Sequence, residues 1–174
     1  SVAMALLDAN LPAGRFKIDG VDISVRALAR AREAVYGKNS FRGKNLDFRE
    51  RHFQSTKDGY VLSPRVRDCV QFHHANLLDN DSLTGQGAYD FIFCRNLLIY
   101  FDRTTQAKAL EKLSRLLSPN GMLFVGPAEL PLVTKHGFVS ANVPMAFACH
   151  KATARTAAPV SRRQRLAKAV RPAE

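Results

Sequence analysis

Apolar and polar residues alternate along the first 150 positions in two distinct periods, and the switches between them mark the elements. Residues 1–10 place Val2, Leu6 and Ala9 on one helical face, with Ala3 and Leu7 beside it. Pro12 and Gly14 end that helix. Residues 15–22 alternate, with Phe16, Ile18 and Gly20 against Lys17 and Asp19, and predict a strand that ends at Asp22. Ser24 is an N-cap for a helix over 25–36, with Leu28, Ala31 and Val35 at helical spacing and Gly37 as its stop. Residues 38–66 change character: they are polar, basic and aromatic, with a turn signal at Asp58-Gly59 and a pairing segment at Tyr60-Val61-Leu62. A short strand follows over 69–74 and closes at Asn76. A more apolar one runs over 88–95, with a composition suited to burial on both faces. Asp102 caps a helix whose stripe is Ala109, Leu110, Leu113, Leu116 and Leu117, and Pro119-Asn120-Gly121 stops it. Two more strands are expected, over 121–126 and 143–150.

Helices and apolar strands thus alternate, which predicts an α/β sheet with helices on both faces. Ligands of such sheets sit outside the C-terminal ends of the strands. The residues there are Asp22-Ile23, Asn76-Leu77, Arg95-Asn96-Leu97 and Gly126-Pro127-Ala128-Glu129. A carboxylate at Asp22 can accept hydrogen bonds from ribose hydroxyls, and it can equally be a loop acid beside the Ser24 cap. Asn76 and Asn96 carry both donor and acceptor and can hold a zwitterion or an adenine edge, or simply turn the chain. Glu129 reads either as a site residue or as a surface acid. The segment DFIFCRNLLIYFD at 90–102 says more: an apolar strand delivers Arg95 and Asn96 to the sheet edge, and Tyr100 follows. Core packing accounts for Phe91, Ile92, Phe93 and Ile99 but not for that polar trio.

The composition, 46% hydrophobic and 24% charged, is that of a globular chain and excludes wholesale disorder. No apolar run approaches the roughly 20 residues of a membrane-spanning helix, so no membrane insertion is expected. Three cysteines far apart in sequence, with no C-x-x-C pair, predict a reduced, cytoplasmic compartment. The net charge of +11 invites a nucleic-acid partner. However, residues 151–174 hold seven of the basic residues and one acid, so much of the excess sits in an Ala/Arg/Pro-rich segment that reads as a basic tail or linker. Asn96 is followed by Leu97-Leu98-Ile99, not by the prolines of an amino-methylating turn, so no specific nucleic acid is expected. His73 and His74 are adjacent on a strand, face opposite ways and cannot share one metal, and no metal is expected.

Together, VDIS at 21–24, NLL at 76–78, YDFIFCRNLLIYFD at 89–102 and LSRLLSPNGMLFVGPAE at 113–129 resemble the chemoreceptor glutamate O-methyltransferases of the CheR type. SVAM at the N-terminus resembles the family's Tyr-Ser-Ile-Ala helix start. The resemblance covers residues 1–150 in order. It implies a Rossmann-like class I methyltransferase sheet with a reversed final strand and a small inserted β-subdomain over about 38–66. It implies S-adenosylmethionine as cofactor, S-adenosylhomocysteine as product, and the cytoplasmic domain of a chemoreceptor as partner. By motif match, Asp22 binds the ribose and Ile23 lies against the adenine, flanked by Asn76 and Leu77. Asn96 and Leu97 lie beside the cofactor's amino-acid end and sulfonium, and Tyr100 and Arg95 lie near the reacting carboxylate. The family's glycine loop, its first strand and its helical N-terminal domain have no counterpart in these residues. The chain is therefore expected to be a partial methyltransferase domain over 1–150 followed by the tail. The competing expectation is a catalytically impaired remnant that binds receptors.

Overall fold

The computed structural model describes residues 1–43, 45–79 and 88–152. The chain divides into two compact units, residues 1–83 and 84–174.

In the first unit, helix α1 (Val2–Asp8) buries Ala3 and Leu7 rather than the Val2/Leu6/Ala9 face. These two side chains pack with Val66 and Cys69, and Phe16, Ile18, Leu62 and Val70 surround them. Strand β1 (Ile18–Asp22) lies parallel to β5 (Val70–His74), with Asp22 opposite His74 at the C-terminal end. Between them in sequence comes helix α2 (Val25–Glu33), which packs on both strands through buried Leu28. Ser24 caps α2 as expected, its Oγ accepting the Ala27 N–H at 3.2 Å.

The far end of α2 departs from the sequence expectation. The helix stops three residues before Tyr36, because Ala34 turns left-handed (φ 55°) and donates back to the Arg30 carbonyl. Val35–Tyr36 then form strand β2, opposite Val61 and Tyr60. A β-branched and an aromatic residue gain more from this pairing than from another half-turn of helix. Val35 and Tyr36 therefore join the inserted stretch expected over about 38–66. Its sheet runs β2–β4–β3, all antiparallel, with β3 (Phe53–Thr56) and β4 (Gly59–Leu62) joined as a hairpin. Helix α3 (Asp47–His52) precedes it, and α4 (Pro64–Arg67) leads out of it. Phe41, Phe53 and Tyr60 meet edge-on, and Arg49 lies over the Tyr60 ring at 4.8 Å. Asp8 ties the insert to α1, accepting from Arg51 at 3.0 Å and His52 at 2.8 Å. The Arg51 bond first, and then that from His52, holds the Asp8 carboxyl below the usual carboxylate range.

Gly59 is required by two constraints at once. Its φ is +135°, and a Cβ there would stand 2.7 Å from the Tyr36 carbonyl oxygen. Gly59→Ala should therefore cost about 2–3 kcal/mol from backbone strain and the clash. A urea unfolding curve checks this, and an unchanged midpoint contradicts it.

The second unit is a four-stranded sheet in the order β6–β7–β9–β8. Strand β6 (Tyr89–Phe93) is parallel to β7 (Leu117–Phe124). The reversed strand β9 (Ala148–Lys151) is antiparallel to both β7 and β8 (Phe138–Ser140). Helix α5 (Arg103–Leu116) starts on the Asp102 cap, whose Oδ1 accepts the Thr105 N–H at 2.8 Å. It buries Ala109, Leu110 and Leu113, while Leu117, Leu123 and Val125 are buried at or beside β7. Helix α6 (Leu130–Thr134) connects β7 to β8.

Four expectations change here. Leu117 belongs to β7, not to the helix: Tyr89 pairs with Leu117 and Phe91 with Met122, so the Pro119-Asn120-Gly121 stretch bulges out of the ladder instead of standing between two elements. The last strand begins at Ala148, because Asn142, Met145 and Phe147 all take left-handed φ angles (55°, 60° and 49°) that no strand accommodates. Strand β6 is not buried on both faces. Phe91 and Phe93 are 59% and 53% exposed, and β7 is its only ladder partner among the described residues. Lys151, where the basic tail was expected to begin, is part of β9, and its ammonium donates to the Ser114 and Leu117 carbonyls. Residues 153–174 of that tail lie outside the described residues.

Candidate functional site

The strand ends named from sequence are strand ends in the structure, and each unit supplies its own. At the end of β1 the Asp22 Oδ1 accepts the Ser24 N–H at 2.8 Å, so the carboxylate does help to shape the α2 entry. Its other oxygen takes no protein hydrogen bond among the described residues, and the residue is exposed. An anionic acceptor thus stands open at the sheet edge. Beside it Ile23 is 69% exposed, an apolar surface next to a charged one. The backbone under Ile23 is pinned by His74, whose Nε2–H donates to the Ile23 carbonyl at 3.1 Å. His73 takes a different partner, Asp19, at 3.0 Å.

At the end of β5 the Asn76 side chain bonds within its own turn. Its Oδ1 accepts the Leu78 N–H at 3.0 Å and its Nδ2 donates to Asp79 at 3.1 Å. That is the turn chemistry Asn supplies locally. Leu77 beside it is half-buried.

At the end of β6 the second unit holds its most constrained feature. Asn96 turns left-handed (φ 57°), and a 3-10 turn (Leu98–Tyr100) follows. Arg95 and Tyr100 point outward, Tyr100 with 77% exposure. Beneath the loop lies Glu129, 0% exposed. One oxygen, Oε1, accepts the N–H groups of Leu97 and Leu98, each at 2.8 Å; the other accepts those of Asn96 at 2.8 Å and Gly126 at 2.7 Å. Burial pushes the Glu129 carboxyl pKa up, but the four N–H bonds outweigh it and hold the group below the usual carboxylate range. The neighbouring Cys94 thiol is pushed up to about 12, by burial first and then by that negative charge, so it is a packed thiol and not a nucleophile. Gly126 makes room for the arrangement: a Cβ there would lie 3.0 Å from Glu129 Oε2 and 3.3 Å from Asn96 Nδ2.

The sequence did not separate this buried Glu129 from a surface acid. The signal that could have done so is its spacing. It stands three residues after Gly126 with Pro127 between, which is an N-terminal capping pattern, and its carboxylate does accept the Gly126 N–H.

Residues 1–146 match the family model described as the SAM binding domain of the CheR methyltransferases. The chain belongs to this family. Over 147 residues it is 52% identical to a Pseudomonas aeruginosa protein described as the probable biofilm formation methyltransferase WspC, covering 84% of this chain and 35% of that one. The Pseudomonas putida protein of the same description is 49% identical over 148 residues, covering 85% of this chain and 35% of the relative. The chemotaxis protein methyltransferase of Salmonella typhimurium is 35% identical over 134 residues, covering 74% of this chain and 46% of the relative. The chain therefore spans between about a third and a half of the length of these curated relatives. A CheR domain of this kind takes S-adenosylmethionine. Within the first unit, Asp22 offers an open carboxylate oxygen to hydroxyl donors and Ile23 beside it an exposed apolar surface to a flat ring, which fits the nucleoside part of that ligand.

Proposed function

We propose that this CheR domain serves the O-methylation of glutamate side chains on the cytoplasmic domain of a chemoreceptor-type protein, forming glutamyl methyl esters. The observation that carries the reading is the Arg95–Tyr100 segment. It presents an exposed guanidinium and an exposed phenol on a loop fixed from below, inside a SAM-binding domain of a family whose members are named as chemotaxis methyltransferases.

The chemistry asks little of the chain beyond placement. A glutamate side chain is already ionised at neutral pH, so no general base is needed. S-adenosylmethionine, when bound, supplies a methyl group on a sulfonium as the electrophile. Asp22 would accept hydrogen bonds from the ribose hydroxyls. Ile23, with Asn76 and Leu77, would border the adenine, and Asn96 and Leu97 the amino-acid end. Arg95 and Tyr100 would hold the substrate carboxylate by charge-assisted hydrogen bonds and keep it in line. The partner and its compartment follow from the same reading. No helix among the described residues is long and apolar enough to cross a membrane.

The test is methyl transfer from labelled S-adenosylmethionine to a purified receptor cytoplasmic domain. Label that is released by mild base as methanol is the expected result. Receptor binding without transfer would instead match a remnant that only docks. Tyr100→Phe should slow transfer about tenfold, the loss of one hydrogen bond of about 1.4 kcal/mol in the transition state. An unchanged rate would remove the hydroxyl from carboxylate placement.

A further inference from the structure

We infer that Glu129 is the positioning residue of the cofactor loop: it sets the backbone of residues 96–98 from beneath and acts on the site only through it. The inference rests on the proposed reading in which Asn96 and Leu97 border the cofactor. It adds a residue that the motif match did not assign.

Three observations carry it. First, Glu129 is fully buried, so it does not reach a ligand itself. Second, both of its oxygens are used, and three of the four N–H groups they accept come from the consecutive residues Asn96, Leu97 and Leu98. Three successive amides converging on one centre form an anion nest, whose dipoles repel one another unless an anion fills it. Here the chain fills the nest with its own carboxylate. Third, the conformation so held at Asn96 is a left-handed one, which asparagine enters more readily than other non-glycine residues and which the Glu129 bonds on either side of it fix. Its left-handed φ of 57° is uncommon for a non-glycine residue, and the turn immediately follows the end of β6. Gly126 completes the device, since any larger residue would press on both Glu129 and Asn96.

A merely structural cap on the turn at Pro127–Glu129 would show the same burial but would not govern the loop. The two roles separate in Glu129→Gln, where an amide NH2 must face at least one N–H donor, and in Glu129→Asp, which keeps the charge but is one methylene short. Amide NMR spectra of the cofactor-free chain and calorimetric titration with S-adenosylhomocysteine are the two readouts. In Glu129→Gln the amide signals of Asn96, Leu97 and Leu98 should move upfield and exchange faster, while those of β7 and β9 stay in place. Affinity for S-adenosylhomocysteine should fall at least tenfold, with Glu129→Asp recovering part of the loss. Unmoved loop amides, or unchanged affinity in a variant whose loop amides have moved, overturn the inference. So does loss of the whole unit's signals in both variants, since the role is then structural. If the parent chain itself shows no binding, the proposed function of this chain fails. The amide spectra then still decide the role of Glu129 on their own.

Discussion

Glu129→Gln is expected to lower the unfolding free energy of the chain by about 2–4 kcal/mol at neutral pH. The substitution leaves at least one buried N–H of the 96–98 loop or of Gly126 facing a donor, and each such orphan costs about 1–3 kcal/mol. The same carboxylate makes stability depend on pH in a fixed direction. Its folded pKa lies below its unfolded one, so its contribution is complete above the ordinary carboxylate range and is lost as pH falls through the folded value. Acid should therefore destabilise the parent chain more than Glu129→Gln, and the two stability curves should converge as pH falls below the ordinary carboxylate range. Denaturant midpoints across that range provide the check. Parallel curves for the two chains would show that the buried group is not an ionised carboxylate.

Asp22 is the second position where a large effect is expected. Two hydroxyl donors on one charged acceptor are worth about 1.5–3 kcal/mol, so Asp22→Asn should weaken S-adenosylhomocysteine binding roughly 10- to 100-fold. Asparagine keeps an oxygen for the Ser24 N–H, so the entry to α2 survives and the loss reports on the open side of the residue. Thermal unfolding of the variant close to that of the parent is part of the prediction. Equal affinity for parent and variant would remove Asp22 from the ribose site.

What was legible in the sequence was what is decided locally. The Asp102 and Ser24 caps and the Leu110/Leu113 stripe lie within a few residues of their partners, and they appear in the structure as read. Several of the errors share one cause, contacts far along the chain. Val35 and Tyr36 leave the helix because Val61 and Tyr60 are there to pair with. Leu117 joins a strand because Tyr89 lies opposite. The apolar 88–95 segment reads as doubly buried, but its exposure depends on neighbours that its own composition cannot specify. The candidate site divides the same way. The strand ends at Asp22, Asn76 and Asn96 follow from local pattern and motif. The local turn at Asn76 was also foreseeable, since Asn so often bonds two residues ahead. For Glu129 the spacing after Gly126 signals the local cap, but not the amides of Asn96, Leu97 and Leu98 that it also accepts, which are more than 30 residues away.

The central proposal is that this domain binds the cofactor with Asp22 at the ribose. Its most direct test is a calorimetric titration of the chain with S-adenosylhomocysteine at neutral pH, beside Asp22→Asn. Saturable one-site binding that weakens in the variant is the predicted result. A parent chain that is folded by circular dichroism and yet gives no saturable heat would contradict the account.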